Sequence, residues 1–209
     1  MKKGMVIAYP EYDGLYLNIT NRCPCACTFC IRKGDEFNNV DTLWLEREPT
    51  IEEVEQAIEA EDLSKYKEIV FCGYGEPTER LDVILAVSDF IKQRCSLPVR
   101  INTNGLGELI NGKKIAHLLE GRIDAISISL NSSDPEIYEK TVRPIFKEKA
   151  FPALLSFARD AAKYVPKVVL STVSTTITAE DEEKCRKICE ELGVTYRIRQ
   201  YIEPKKNEK

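Results

Sequence analysis

The chain has 209 residues, of which 43% are hydrophobic and 31% are charged, and its formal net charge is −4. This length and composition predict one globular domain, which we place at 1–203 with a polar C-terminal tail at 204–209, and the acidic balance gives no general attraction to nucleic acid. No apolar run approaches the roughly 18 residues of a membrane-spanning helix, and the N-terminus lacks an apolar segment of signal-peptide length, so we expect a cytoplasmic protein with no membrane association.

Strand-like and helical patterns alternate along most of the chain. Thr50 and Glu53 form a capping-box pattern at the start of a helix that runs to about Glu61, and a second helix is predicted from about Arg80 to Arg94. The predicted strands are the six short apolar runs 14–20, 68–73, 99–105, 124–130, 167–173 and 195–202. This alternation predicts a parallel sheet built from right-handed βαβ units.

The two faces of the predicted strands differ, and this difference separates a barrel from a flat sheet. In the run 124–130, Ile126 and Ile128 alternate with Ser127 and Ser129, and other strands also alternate. A doubly wound sheet is covered by helices on both faces and would show continuous apolar runs instead. We therefore predict an α/β fold in which a curved, six-stranded parallel sheet forms a partial barrel with a polar interior.

Four of the eight cysteines lie in one stretch, NRCPCACTFC, directly after the first predicted strand. Cytoplasmic cysteines stay reduced, which favours metal or cluster ligation over disulfides. Cys23, Cys27 and Cys30 have the spacing C-x3-C-x2-C and supply three thiolates where a cubane [4Fe-4S] cluster normally takes four, so that one iron stays open. A structural zinc site or a simple electron carrier would need a fourth ligand. Cys25 could serve in either and Cys72 in the second, so both alternatives stay open.

The cysteine stretch and three further segments resemble the radical S-adenosylmethionine (SAM) superfamily. CPCACTFC, with Phe29 before its last cysteine, is similar to the signature C-x3-C-x-aromatic-C. GYGEP at 73–77 resembles the motif that holds the methionine amino group of SAM, and NTNG at 102–105 resembles a ribose-contacting segment. SISLNSSDPEIY at 127–138 resembles a strand end of the molybdenum-cofactor biosynthesis branch. The runs LYLNITNRCPC, LWLEREPT, VFCGYGEPTERLDV and RINTNG are similar, more closely, to the TatD family-associated radical SAM proteins.

The resemblance implies a (β/α)6 TIM-like partial barrel of the radical SAM type, with a [4Fe-4S] cluster and S-adenosyl-L-methionine as cofactors. The reduced cluster would cleave SAM to a 5′-deoxyadenosyl radical, which abstracts hydrogen from a substrate. An external electron donor of the flavodoxin or ferredoxin type is implied as a partner. The substrate is left open, and a macromolecule is one candidate.

Two classes of function are therefore compared. Within the enzyme class, glycyl-radical-activase-like and carboxy-deazaguanine-synthase-like activities are the candidates, the second as a homodimer. The rival class is a non-enzymatic iron–sulfur module for electron transfer or scaffolding. That rival predicts that replacing Gly73 and Gly75 is harmless, whereas the enzyme predicts lost SAM affinity with the cluster intact.

Residues at the ends of the second and third predicted strands are the first candidates for cofactor binding. Gly73, Gly75, Glu76 and Pro77 close the second strand, where glycine lets the backbone approach a ligand and free carbonyls can accept hydrogen bonds from an ammonium group. Asn104 closes the third strand, and its amide can bind ribose hydroxyls. By resemblance, Phe29 also belongs to the cofactor site.

Later segments add hydroxyl and cationic candidates. Ser127 and Ser129 lie on the polar face of the fourth predicted strand, and the resemblance assigns Ser129 to the SAM carboxylate or ribose. Arg143, Arg197 and Arg199 are candidate anion holders, because a buried arginine needs an acidic partner. Of the two arginines in the sixth strand we favour Arg199, which is nearer the carboxyl end.

Other residues have structural or secondary roles in this interpretation. Cys185 and Cys189 lie four residues apart on an amphipathic helix and are predicted core thiols. Asn18 and Thr20 lead into the cysteine stretch and are candidates for reaching substrate. Trp44, in LWLEREP, is a candidate for a lid or docking segment, although packing is the favoured role.

Overall fold

The computed structural model describes residues 3–33 and 42–202, and its strands form one sheet in the order β1-β2-β3-β4-β5-β6-β7. The strands are β1 (Ala8–Glu11), β2 (Gly14–Leu17), β3 (Glu68–Phe71), β4 (Val99–Thr103), β5 (Ala125–Ser129), β6 (Lys167–Val173) and β7 (Thr195–Arg199). β1 is antiparallel to β2, and every later neighbouring pair is parallel. The predicted α/β fold is confirmed, because the six predicted strands correspond to β2 through β7.

Helices connect the parallel strands. The α-helices are α1 (Ile51–Glu59), α2 (Leu81–Arg94), α3 (Gly107–Asn111), α4 (Pro135–Val142), α5 (Ala150–Ala161) and α6 (Ala179–Leu192). Short 3-10 helices lie at Ile31–Lys33, Leu63–Lys65, Pro77–Arg80, Ala116–Leu119 and Lys147–Lys149. The predicted capping box is confirmed at α1, where Thr50 Oγ1 accepts from Glu53 N at 3.2 Å and Glu53 Oε2 accepts from Thr50 N at 2.9 Å.

The strand β1 is an addition to the six predicted strands. It is short and contains Pro10, which lacks an N–H for a sheet and which argues against a central strand in sequence. Here Pro10 lies on the outermost strand of the sheet, where a missing donor is tolerated. A tight turn with Tyr12 at φ 49° then returns the chain into β2.

The outer face of the sheet packs against the helices as predicted. Leu15, Ile69 and Ile101 are almost fully buried in one core with Val87 of α2 and Phe157 of α5. Burying apolar area of this kind stabilises the fold by about 25 cal/mol per Å². The helical layer therefore anchors the strands whose ends form the candidate site.

The inner face is polar over only part of the sheet, which corrects the prediction of a polar interior throughout. A second apolar cluster lies there beside β1, β2 and β3, and its buried members are Tyr9, Tyr16, Leu43, Val70 and Tyr74. Trp44 is half-buried against this cluster, with its ring 5.2 Å from that of Tyr74. Trp44 therefore packs here, as favoured, and the polar part of the interior lies along β4 to β7.

Across the residues that the structure describes, no helix has the length and apolarity needed to cross a bilayer. The predicted tail at 204–209 lies outside the described residues, so it stays a prediction.

Candidate active site

The cysteine loop (residues 23–30) follows β2 and is fastened to the end of α4. Thr28 N donates to Thr141 O at 2.9 Å, and Ile145 N donates to Pro24 O at 2.9 Å. α4 ends at Arg143, whose left-handed backbone (φ 51°) turns the chain toward the loop. A loop would otherwise leave backbone groups to solvent, so these bonds hold the cysteines in place.

Cys23, Cys27 and Cys30 are half-buried in this loop, and none of the three is in a disulfide. A hydrogen bond from Cys25 lowers the pKa of Cys23. Burial, followed by the neighbouring Cys30 and Cys23, raises the pKa of Cys27 to about 12. The three thiols thus lie within electrostatic range of one another, and cluster assembly must remove a proton from Cys27.

The cysteine thiols are the candidate metal or cluster ligands of this site. Among the described residues, no group of three or more His, Cys, Asp or Glu side chains is placed to hold a single metal ion. The all-thiolate donor set suits iron–sulfur chemistry.

Cys25 belongs to the same loop, but its side chain is buried in the core, unlike the three half-buried thiols. It is 4% exposed, and Asn104 Nδ2 donates to its sulfur at 3.6 Å. The hydrogen bond with Cys23 and burial raise the pKa of Cys25 well above its usual value. Arg32 donates to the Cys25 carbonyl at 2.8 Å, which further braces the loop.

Gly73 and Gly75 are packed against the protein itself. A Cβ at Gly73 would overlap the Asn18 side chain, and one at Gly75 would overlap the Thr20 carbonyl and lie 2.7 Å from Arg22 O. Because the obstacles at Gly75 are backbone atoms at the entrance to the cysteine loop, a side chain there must displace the loop. Substitution of Gly75 should therefore disturb SAM binding and cluster binding together. This corrects the expectation from sequence that SAM affinity would be lost with the cluster intact.

Glu76 is a buried brace between the ends of β3 and β4. Its Oε1 accepts from Thr103 Oγ1 at 2.6 Å and from Thr78 N at 3.1 Å, and its Oε2 accepts from Asn104 N at 2.7 Å. Burial raises the pKa of this carboxyl. Pro77, which is buried, follows directly and starts a 3-10 helix. The predicted cofactor contacts of Glu76 and Pro77 stay predictions, since the Glu76 carboxylate binds protein groups.

Asn104 is connected to both the brace and the cysteine loop. Besides its contact with Cys25, its Oδ1 accepts from Leu106 N at 2.9 Å, and Gly105 next to it has φ 79°. A Cβ on Gly105 would lie 2.8 Å from Ile128 Cγ2, so glycine is required for the backbone and for packing. The turn and the predicted ribose contact are compatible roles for Asn104.

Arg199 is a half-buried cation with hydroxyl partners only. Its Nε donates to Ser171 Oγ at 3.1 Å, and a terminal nitrogen donates to Ser129 Oγ at 3.4 Å. Among the described residues it makes no ion pair, and burial lowers its pKa. Ser127 is half-buried two residues before Ser129, whereas Arg197 is exposed. The structure thus brings the two candidates Ser129 and Arg199 together.

The remaining predicted contacts lie at the edge of the site. Phe29 is half-buried in the cysteine loop. Arg143 is exposed at the end of α4, and its Nε donates to Lys140 O at 3.3 Å. The backbone around Arg143 supports the loop, while a cofactor contact by its side chain stays a prediction.

Asn18 and Thr20, candidates for substrate contact, bind the protein. Asn18 Nδ2 donates to Leu43 O at 2.8 Å, and Thr20 Oγ1 donates to Glu48 Oε1 at 2.6 Å. Glu48 also accepts from Arg22 Nε at 2.7 Å. Sequence reasoning did not single out Glu48, and its position in LWLEREP was the only available signal.

Comparison with known proteins agrees with this geometry. The sequence model described as the Radical SAM superfamily matches residues 17–192. The probable GTP 3′,8-cyclase of Methanocaldococcus jannaschii is 26% identical over 194 residues, covering 92% of this chain and 60% of that protein. The chain spans about half the length of the curated relatives it matches.

Two solved structures share the fold. A radical SAM methyltransferase from Sphaerobacter thermophilus has a TM-score of 0.64 and 15% identity, covering 92% of this chain and 57% of that one. Native anSMEcpe with bound AdoMet has a TM-score of 0.66 and 19% identity, covering 90% of this chain and 52% of that one. With most of its length matched by the family, the chain belongs to the radical SAM superfamily, whose enzymes use a [4Fe-4S] cluster and SAM.

Proposed function

We propose that Cys23, Cys27 and Cys30 hold a [4Fe-4S] cluster with one open iron, and that SAM binds to this iron. The observation that carries the proposal is the cysteine loop, which presents three half-buried thiols where it is fastened to α4. Barrel enzymes place active sites at the carboxyl ends of the strands, where this loop begins. The bound cluster would supply reductive cleavage of SAM to a 5′-deoxyadenosyl radical, which abstracts hydrogen from the substrate.

In this proposal the protein's own residues orient SAM. Backbone carbonyls of Gly73 and Gly75 bind the methionine amino group, and Asn104, Ser127 and Ser129 bind the ribose or carboxylate. The support is that these residues lie at the ends of adjacent strands β3, β4 and β5. Holding two reacting groups in the right geometry accelerates a reaction. The proposed role of these contacts is to hold SAM in that geometry.

Charged and apolar residues complete the proposed SAM site. Arg199 binds the SAM carboxylate or an acidic group of the substrate, because its present partners are two neutral hydroxyls. We also keep Phe29, Glu76, Pro77 and Arg143 as proposed contacts. Phe29 lies within the cysteine loop, and Glu76 holds the backbone of Asn104 in place.

The decisive experiment measures SAM cleavage. The full chain is reconstituted with iron and sulfide without oxygen, given SAM and dithionite, and assayed for 5′-deoxyadenosine. Wild type and a Cys95→Ala control, which alters a thiol outside the loop, should form it, while Cys27→Ala should not. A complete cluster that never cleaves SAM would overturn the proposal, and a different SAM fragment would overturn the proposed radical while keeping the site.

A nucleotide is the first substrate class to test. The observation in favour is that relatives named GTP 3′,8-cyclase align with up to 92% of this chain. We therefore propose adding GTP to the cleavage assay and looking for a new nucleotide product together with increased 5′-deoxyadenosine. Unchanged GTP and an unchanged cleavage rate would reject GTP and leave the macromolecular candidate, a glycyl-radical enzyme, as the next test.

The finer placement near the TatD family-associated proteins is also a proposal. It is supported by LYLNITNRCPC and VFCGYGEPTERLDV, which span the start of the cysteine loop and the brace around Glu76. A flavodoxin or ferredoxin is the proposed electron donor. Replacing dithionite with a reduced flavodoxin system should sustain 5′-deoxyadenosine formation if that donor class is correct.

A further inference from the structure

Tyr138 is buried with an unused hydroxyl. The side chain is 1% exposed and is the largest of the fully buried residues. Its ring packs against Phe151, with centroids 5.4 Å apart and an interplanar angle of 59°. Among the described residues, the Tyr138 hydroxyl has no hydrogen-bond partner. A buried hydroxyl in this state costs about 1–3 kcal/mol, so such groups normally have a partner.

Tyr138 lies in the core on the helix that holds the cysteine loop. Tyr138 lies one helical turn before Val142, and the end of that helix is the part of α4 that binds the loop backbone. Tyr138 and Cys25 are buried in the same apolar cluster, against which Cys27 also packs. Burial first, then electrostatic interaction with Cys25 and Cys27, raises the pKa of Tyr138 well above its usual value.

Other polar groups near the hydroxyl already have partners. The Glu76 carboxylate, which also interacts electrostatically with Tyr138, accepts from Thr103 and from the Asn104 backbone. The Asn104 side chain is bound to Cys25 and to the backbone of Leu106. The acceptors that a cluster would add on this side are sulfur atoms, namely a Cys27 thiolate and the bridging sulfides.

We propose that the Tyr138 hydroxyl donates a hydrogen bond to sulfur of the bound cluster, at the Cys27 thiolate or an adjacent sulfide, and so raises the reduction potential of the cluster. This inference rests on the cluster assignment in the proposed function. Hydrogen bonds to cluster and ligand sulfurs stabilise the more negative, reduced state, and they are among the factors that set the potential of iron–sulfur proteins. Tyr138 is thus a positioning and tuning residue, and it need not touch SAM.

The test compares reconstituted wild type with Tyr138→Phe, which keeps the ring and removes the hydroxyl. Tyr164→Phe serves as the control, because the Tyr164 ring makes an edge contact with His117 and not with the cysteine loop. A potentiometric titration followed by the electron paramagnetic resonance of the reduced cluster measures each potential. At a fixed poise Tyr138→Phe should lower the reduced-to-oxidised ratio about tenfold, which is about 59 mV for one electron. A potential equal to that of wild type would overturn the inference.

A second measurement uses the cluster-free chain. Tyr138→Phe should leave its unfolding free energy unchanged or raise it, because the hydroxyl has no partner to lose. A marked loss of stability without the cluster would mean that the hydroxyl has a protein partner, and this would overturn the inference. Iron and sulfide counts separate the two proposals: wild type that binds no cluster overturns both, whereas full clusters with equal potentials overturn only the role of Tyr138.

Discussion

Glu76 is buried and Arg199 is half-buried, but the two charged side chains differ in their hydrogen-bond partners. Glu76 is 3% exposed, and each of its carboxylate oxygens accepts from protein donors on β4 or the following turn. Arg199 is bound by the hydroxyls of Ser129 and Ser171 and has no acidic partner in the described chain. A buried charge without a counter-charge is destabilising. The Glu76 carboxylate therefore has all its partners within the protein, whereas the Arg199 guanidinium has only neutral partners, in line with the anion that we propose for it.

The comparison of these two surroundings indicates which region contributes to stability and which region we propose for binding. Around Glu76, the ends of β3 and β4 and the cysteine loop are locked through Asn104 and Gly75. Around Arg199, β7 is the last strand of the sheet and largely exposed. Changes in the first region should therefore impair folding and cluster retention together, and changes at Arg199 should mainly impair ligand binding.

Gly75→Ala should have the largest effect. Its Cβ would overlap the Thr20 carbonyl and crowd Arg22 O, and because these are backbone atoms the cysteine loop must move. We expect a loss of about 3 kcal/mol in unfolding free energy and a several-fold fall in iron per chain, measured by urea unfolding and metal analysis. The control is Gly112→Ala, where φ is +62° but a Cβ meets nothing within 4 Å. Iron retention equal to that control would contradict the locked geometry.

Glu76→Gln should have the next largest effect. The amide replaces an acceptor with a donor, which leaves either Thr103 or the Asn104 N–H unpaired, at a cost of about 2 kcal/mol. Exposed Glu120→Gln is the matched control and should be neutral. Urea unfolding of both variants measures the difference, and equal stabilities would show that Glu76 is no brace.

The difference in unfolding free energy between wild type and Glu76→Gln should depend on pH. Because burial raises the pKa of Glu76, the unfolded carboxyl ionises first, near 4.5, and the folded carboxyl ionises at higher pH. The advantage of wild type over Glu76→Gln should therefore shrink as pH rises through 4.5 and become constant above the folded pKa. An advantage that grew over this range would mean that the pKa is lowered instead.

Arg199→Gln should weaken binding with little effect on the fold. We expect SAM affinity to fall at least about tenfold, because a buried charge that pairs with an anion is worth more than 1.4 kcal/mol. The unfolding free energy should fall by no more than about 1 kcal/mol, since the two hydroxyl hydrogen bonds are lost but an uncompensated charge is also removed. Equilibrium dialysis with the reconstituted protein measures affinity, and exposed Arg197→Gln is the control. If both variants bind SAM like wild type, Arg199 is left to hold an acidic group of the substrate, and the SAM contact is rejected.

Thr50→Ala should have the smallest effect and gives a baseline away from both regions. It removes the oxygen that caps α1, at about 1 kcal/mol. Iron content and SAM affinity should match wild type. A loss of either would show that α1 is coupled to the site, in conflict with the local character of the other predictions.

Sequence patterns predicted the parallel strands well because each strand carries its own signal. Ile126 and Ile128 face the core, and Ser127 and Ser129 are half-buried on the other face, as alternation requires. β1 was missed because Pro10 removes that signal, and its acceptance depends on the edge position. The apolar inner cluster was missed because Leu43 reaches it from a segment without strand character.

For the candidate site, spacing predicted the three cysteines but not what holds them. The bonds of Glu48 with Thr20 and Arg22 join segments more than twenty residues apart, and the contact of Asn104 with Cys25 spans a still longer stretch. Such pairings are fixed by tertiary packing, and a sequence contains no local sign of them. Tyr138 is the clearest example. In sequence, an aromatic residue in a helix is indistinguishable from an ordinary core residue, and only the structure shows that its hydroxyl has no partner among the described residues.

The attachment of the cysteine loop to α4 also sets an order of events during synthesis. Cys23, Cys27 and Cys30 leave the ribosome early, but the carbonyls of Thr141 and Val142 that secure the loop are made much later. Until α4 has emerged and packed, the three thiols belong to an untethered segment and are open to oxidation. The proposed cluster should accordingly be inserted only after α4 has packed against the loop.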